Sequence, residues 1–350
     1  MVQAGEPYTF VYKNWRGEVA ERQVVPEKIG WGTNEWHPEP QWLMEGFDVD
    51  RQAMRCYALG DVIEWRAGPE GCLSHLGRDE TAAVEEARVE VAPEHRSLLE
   101  QLAGSALGRS LIANRGLDGY WIDYIVRYPI DPSLQRNKID ELEQFMLTRA
   151  PLALATQQRF QIFLDVLQRE LKEGMRVASV PCGMMSELLM LDREVALGVE
   201  MVGIDLDPTS IVEAARRAKV AGLEDKTTFQ LADAWQLSGE YDVISSSGLN
   251  LYVHDDAKVT ELYRQLYGSL KPGGVLVTSA PTPPSDWEMG KIEMDALIRQ
   301  KELFVDVLKP RFQALREVEM SVAQLKEAGF ETVEVLYDDA HIFPTFVARR

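Results

Sequence analysis

From residue 175 to residue 250 the sequence alternates short apolar runs rich in β-branched residues with helical stretches, and acids close the second and third runs. The first run, 175–180, breaks at Pro181-Cys182-Gly183. The second, 199–204, ends on Asp205. The third, 228–232, ends on Asp233. The fourth, 241–244, leads into Ser245-Ser246-Ser247-Gly248-Leu249-Asn250. Runs of this kind separated by helices predict a parallel sheet covered on both faces. Such sheets hold their ligands outside the carboxyl ends of the strands. A carboxylate about 25 residues beyond the first loop stands where a ribose diol needs acceptors, and Asp205 fills that position.

This arrangement resembles the class I methyltransferases that use S-adenosylmethionine (SAM). The match covers about residues 150–350, or from about 95 when the preceding helices are taken as the family's lid. It includes Lys271-Pro272-Gly273-Gly274 before a fifth strand at 275–278, and Gly329-Phe330 before a closing antiparallel hairpin at 331–336 and 343–348. The resemblance implies SAM as cofactor, with Asp205 and Leu206 at the ribose, Asp233 near the adenine amino group and Ala234 and Trp235 beside the base. It places Ser179, Pro181, Cys182, Gly183 and Ser246 along the rest of the cofactor. One departure stands out. The family's first loop reads acidic-x-Gly-x-Gly-x-Gly, whereas this chain has Ser179-Val180-Pro181-Cys182-Gly183-Met184-Met185. Only Gly183 remains of the glycines and a serine replaces the leading acid, which points to a different grip on the methionine end. The alternative is another doubly wound nucleotide binder. Cys182 reads as a small loop residue, since no histidine is near it to activate a thiolate.

Charge and cysteine content narrow the partners. The formal net charge of −19 repels phosphate backbones, so nucleic acid is excluded as an expected partner. Cys56, Cys72 and Cys182 are too dispersed for a disulfide framework or a zinc site, and no metal-ligand spacing appears. There is neither a long apolar span nor a basic-then-apolar leader, so the expectation is a soluble, cytoplasmic protein acting on a small molecule away from membranes. The sequence leaves the oligomeric state open.

The expected fold class is α/β: a doubly wound, Rossmann-like seven-stranded sheet with a helical amino-terminal lid, plus a small all-β amino-terminal domain. Residues 1–66 read as short strands, at 8–13, 19–29, 41–49 and 54–65, in a barrel-like module that folds separately. Trp15, Trp31, Trp36, Trp42 and Trp65 fall in it, and the segments 12–18 and 31–42 resemble a WYL-type SH3-like module. Its aromatics and His37 either line a ligand surface or fill a small core. Residues 67–94 read as an acidic linker with a helix near 79–91, residues 95–171 as the helical lid, and 172–350 as the SAM-binding domain.

Two further stretches carry candidate chemistry. Arg115, Asp118 and Tyr124 lie in Asn114-Arg115-Gly116-Leu117-Asp118-Gly119-Tyr120-Trp121-Ile122-Asp123-Tyr124, where an arginine, acids and aromatics cluster beside glycines. Its alternative is a helix connection whose aromatics are core. Asn250 and Tyr252 follow the fourth strand, where related enzymes position the acceptor. His254 reads as solvent-facing. The leading expectation is a small-molecule methyltransferase working by alignment and desolvation. The alternatives are a SAM-consuming cyclase or aminocarboxypropyl-type enzyme that releases methylthioadenosine, similar to azetidine-2-carboxylate synthases, and a non-catalytic SAM sensor.

Overall fold

The computed structural model describes residues 6–68, 80–136, 138–310 and 314–350. Cys72 and part of the expected linker, residues 69–79, lie outside these. The chain divides into two compact units. One gathers residues up to 68 with 167–246 and 268–275; the other gathers 80–166, 247–267 and 276–350.

The first unit opens with five antiparallel strands: β1 (Tyr8–Lys13), β2 (Val19–Gly32), β3 (Gln41–Asp48), β4 (Ala53–Ala58) and β5 (Val62–Ala67). The stretch 54–65, expected as one strand, is interrupted at Leu59–Asp61 by a short 3-10 turn. β1 pairs with β2 and β5, and β3 pairs with β2 and β4. Phe10, Tyr12, Tyr57 and Trp65 fill the space between them in edge-to-face and tilted ring contacts. The core-filling reading therefore accounts for these rings.

The parallel strands follow: β6 (Arg176–Ser179), β7 (Glu200–Asp205), β8 (Thr227–Leu231), β9 (Tyr241–Ser247) and β10 (Leu270–Ser279). Within this unit they run in the order β10-β9-β6-β7-β8. β6 lies between β7 and β9 in parallel register, with Ser179 opposite both Gly203 and Ser245. The chain leaves β6 in one direction for β7 and β8 and returns on its other side at β9, so the switch point falls at the carboxyl end of β6. Val177, Ala178, Met201, Val202, Ile204, Val243 and Ile244 are all buried, as unbroken apolar runs covered on both faces require. Gly203 is fixed by packing: a Cβ there would sit 2.6 Å from Cδ1 of Phe229.

The amino-terminal strands do not stand apart from this sheet. β2 pairs antiparallel with β8 through Ile29 opposite Phe229 and Gly30 opposite Thr228. Trp42 packs on Phe229 at 5.3 Å between ring centroids, and the Tyr8 hydroxyl donates to the Leu206 carbonyl at 3.0 Å. β2 thus completes an edge that β8 offers.

The second unit is mainly helical. Ser105, Asp118 and Asp140 each cap a helix by accepting from a backbone N–H three residues on, opening Ala106–Asn114, Gly119–Arg127 and Glu141–Thr148. The last of these begins at Glu141, where the Asp140 carboxylate meets the Glu143 N–H at 2.7 Å. Leu99, Leu102, Leu107 and Leu111 are all buried in one cluster with Phe145 and Leu303. The helix Met294–Lys301 is followed by a wider-wound turn, Glu302–Leu308. The hairpin of β11 (Thr332–Leu336) and β12 (Thr345–Arg349) closes the chain in antiparallel register, with β12 beside β10. With β6 to β10 these are the seven strands expected from the sequence.

Candidate functional site

In the first unit the loop after β6 is pinned on both sides. The Val180 N–H donates to Ser245 O at 2.9 Å, and the Cys182 N–H to Ile204 O at 2.8 Å. The Val180–Pro181 peptide is cis, and Gly183 and Met185 adopt positive φ angles of 46° and 57°. Glycine takes this conformation without the Cβ clash that Met185 must bear. The turn aims the Gly183 N–H at Asp205 Oδ2, 2.8 Å away, while the Asp207 N–H donates to Asp205 Oδ1 at 3.0 Å. Burial raises the Asp205 carboxyl to about 6, and the backbone donors from Asp207 and Gly183 oppose that rise. The Leu206 N–H is a third backbone donor to this carboxylate, which keeps part of its accepting capacity, since each oxygen carries about two lone pairs. A carboxylate at the end of β7 suits a ribose hydroxyl.

The remaining residues expected at the cofactor lie in this unit. Leu206 offers its carbonyl to Tyr8 and is thereby held in place. Asp233 accepts from the Trp235 N–H at 3.0 Å and caps the short turn Ala234–Gln236. Ser246 and Ala234 are buried and Trp235 is half-buried. Cys182 is buried against Gly203, and that burial pushes its thiol well above the ordinary value, as an unreactive loop residue requires.

Sequence reasoning missed Glu187. The acid absent at position 179 is supplied from eight residues further on, in the turn Ser186–Leu189. The Ser179 hydroxyl donates to the Glu187 carboxylate, and the Ser245 hydroxyl donates to Glu187 Oε1 at 3.3 Å. The end of β6 therefore has a carboxylate beside it after all, carried by the following helix instead of the strand. The substitution of serine for an acid at 179 was the signal that another residue had to provide the charge.

The second unit holds the other candidates, and they separate into four places. Asp118 caps its helix at the Trp121 N–H, 2.9 Å away, and lies close to Tyr252. The Tyr252 hydroxyl donates to Leu117 O at 3.3 Å. The residue as a whole is 45% exposed, yet loss of solvent at the hydroxyl, with Asp118 nearby, pushes the phenol up to about 12. Tyr124 instead donates to Glu143 at 2.9 Å. Arg115 sits in left-handed conformation at the end of helix Ala106–Asn114 and pairs with Glu90, so it joins neither group. Asn250 is 3% exposed. Its Nδ2 donates to Tyr263 Oη and to Ser279 O, both at 2.9 Å, whereas its Oδ1 has no partner among the described residues. Arg316, also unforeseen, is 3% exposed and donates to the carbonyls of Asn250 and Val253 while pairing with Asp256 at 2.8 Å. It belongs to an irregular segment, where periodicity gives no signal. His254 is exposed, as expected.

Among the described residues no group of acids, histidines or cysteines is arranged to hold a metal, and no helix is long and apolar enough to cross a membrane. Residues 177–274 match the methyltransferase domain family. The chain is 27% identical over 195 residues to the carboxy-S-adenosyl-L-methionine synthase of Wolinella succinogenes, covering 51% of this chain and 78% of that protein. It is 30% identical over 140 residues to the demethylmenaquinone methyltransferase of Thermus thermophilus, covering 39% and 61% respectively. A crystal structure from Bordetella parapertussis, described as a possible exported protein, superposes with a TM-score of 0.73 at 40% identity, over 80% of this chain and 99% of that one. The chain belongs to one family with that Bordetella protein, and the strand order, the loop-to-Asp205 geometry and the matching methyltransferase domain make it a SAM-dependent transferase of class I architecture.

Proposed function

We propose that the protein transfers the methyl group of SAM to a small-molecule acceptor. The observation that carries this reading is the geometry around Asp205: a carboxylate at the end of β7, steadied by the Gly183, Leu206 and Asp207 N–H groups. The set fits the cofactor. Asp205 would accept from the ribose hydroxyls, Asp233 from the adenine amino group, and Glu187 would pair with the methionine ammonium. Bound SAM supplies an activated methyl group on a sulfonium. The protein's part is to orient and to exclude water. In the second unit we assign Asn250 Oδ1 and the Tyr252–Asp118 pair to the acceptor, as groups that orient N–H or O–H bonds. Tyr252, held protonated near neutral pH, serves as a donor and not as a base. We assign Arg115 a supporting role beside Glu90.

A second reading keeps the cofactor and changes the bond broken. Placement of the acid on Glu187, with Ser179 at the strand end, alters the surroundings of the amino-acid tail. Attack on the side-chain carbon would release methylthioadenosine, as in the cyclase and aminocarboxypropyl alternatives. The test is to incubate the purified protein with SAM alone and then with panels of amines and alcohols, identifying the nucleoside by mass spectrometry. S-adenosylhomocysteine formed only with an acceptor supports the proposal. Methylthioadenosine from SAM alone overturns it in favour of the second reading, and no turnover with tight binding favours a sensor. We also assign the protein to the cytoplasm, on the free thiols Cys56 and Cys182 and the SAM requirement. Cell fractionation checks this against the description given to the Bordetella relative.

A further inference from the structure

In the second unit a cavity of about 550 Å³ is bounded by Tyr120, Trp121, Tyr124, Lys138, Asp140 and Glu143, among others. Three of its rings come from consecutive turns of one helix face. Tyr120 and Trp121 meet at 86° with centroids 5.0 Å apart, and Trp121 and Tyr124 at 82° and 5.6 Å. Rings standing at right angles form the corner of a box, with negative ring faces available to its contents. Trp121 and Tyr124 also pack against the apolar cluster behind them, which accounts for part of their placement. That packing does not account for Glu143. The residue is only 9% exposed, its carboxyl accepts from the Tyr124 hydroxyl at 2.9 Å, and no cation lies within ion-pair distance of it among the described residues. Burial raises its carboxyl above the ordinary range, and the neighbouring Asp140 adds to that rise. The first turn of helix Glu141–Thr148 favours an acid here, yet no cationic side chain pairs with this one, which has a phenol for company and a second acid beside it. Lys138 lines the same cavity but is exposed and makes no ion pair with Glu143.

We propose that this aromatic and acidic cavity is a binding site for an organic ammonium ion. The rings receive the alkylated face of the cation, and Glu143 supplies the countercharge. Tyr124 keeps the carboxylate turned toward the cavity by donating to it. Lys138 is exposed at the rim, so the carboxylate inside sets the sign of the ligand. The site itself does not depend on the methyl-transfer reading. Its further meaning, that the acceptor class is an amine, rests on that reading.

The experiment titrates the full chain by calorimetry with choline and, in parallel, with 3,3-dimethylbutan-1-ol, its uncharged isostere. Choline is expected to bind about tenfold more tightly than the alcohol. Glu143→Gln, which retains an acceptor for Tyr124, should weaken choline about tenfold and leave the alcohol unchanged. Tyr120→Ala, at a residue half exposed to solvent, should weaken choline a few-fold. Equal affinity for the two probes, no choline binding at millimolar concentration, or an unaltered choline affinity in Glu143→Gln would overturn the site. So would competition between choline and SAM, which would give the cavity to the cofactor's sulfonium. SAM titrated into the same samples keeps the two readings apart: SAM binding without choline binding refutes the ammonium site alone, and choline binding without SAM binding refutes the transferase reading alone.

Discussion

Asp205 carries more of the proposed chemistry than any other side chain, and its environment makes a pH prediction. The carboxyl is raised to about 6 by burial. Below that value the free protein holds a proton there, and the ribose hydroxyls lose a charged acceptor. SAM affinity should therefore fall as pH drops through 6, and Asp205→Asn should flatten the profile; calorimetry at three pH values checks this, and an unchanged slope in the variant contradicts it. The sign for folding is opposite. A folded value above the unfolded 3.8 means the native state holds the proton more tightly, so this residue costs stability increasingly as pH rises from about 4 to about 6. Glu187 gives a second prediction at this scale. Glu187→Gln keeps an acceptor for Ser179 and Ser245 but removes the charge. SAM affinity should drop by about 1–3 kcal/mol, the range for hydrogen bonds to charged groups, with the thermal midpoint little changed. Full affinity in that variant would remove Glu187 from the cofactor.

The elements hold these residues through close packing and backbone pairing. Gly203 lies on β7 with its Cα hydrogens against Phe229 and Cys182. Gly203→Ala should cost about 1–3 kcal/mol in denaturant unfolding, and Phe229→Leu in the same chain should return part of it. No cost would mean the strands separate more easily than the geometry indicates. In the second unit Arg316 holds the carbonyls of Asn250 and Val253, so Arg316→Ala leaves buried acceptors without a donor. A loss of about 2–4 kcal/mol is expected, together with looser order in 249–253. The parallel strands and their helices were legible because fully buried strands must be continuously apolar and because Asp207-Pro208 and Gly222 mark a helix at both ends. The pairing of β2 with β8 was not legible. Strand edges carry no label in sequence, and Ile29 reads the same whether it meets its own hairpin or Phe229.

Across the whole molecule, the site was legible where a side chain's job is set by its own strand and hidden where it is set by a neighbour. Asp205 and Asp233 end their strands, so their places follow from the alternation alone. Glu187, Glu143 and Arg316 act on residues 8, 19 and 66 positions away, and only the folded chain reveals them. The role given to Tyr8 follows the same logic, since its hydroxyl reaches the Leu206 carbonyl across 198 residues. Removing the amino-terminal strands should therefore expose the β8 edge, Trp42's partner Phe229 and the Leu206 turn. A chain beginning at residue 80 is expected to be less soluble and to melt at lower temperature than the full protein; an equally stable truncated chain would show that residues 6–68 and the parallel sheet fold independently. The most direct test of the account is the binding of SAM itself, by calorimetry on the full chain and on Asp205→Ala at pH 7.5. The account predicts binding by the full chain, and an affinity lower by about 1–3 kcal/mol once the carboxylate is gone. Equal affinities for the two proteins would contradict it.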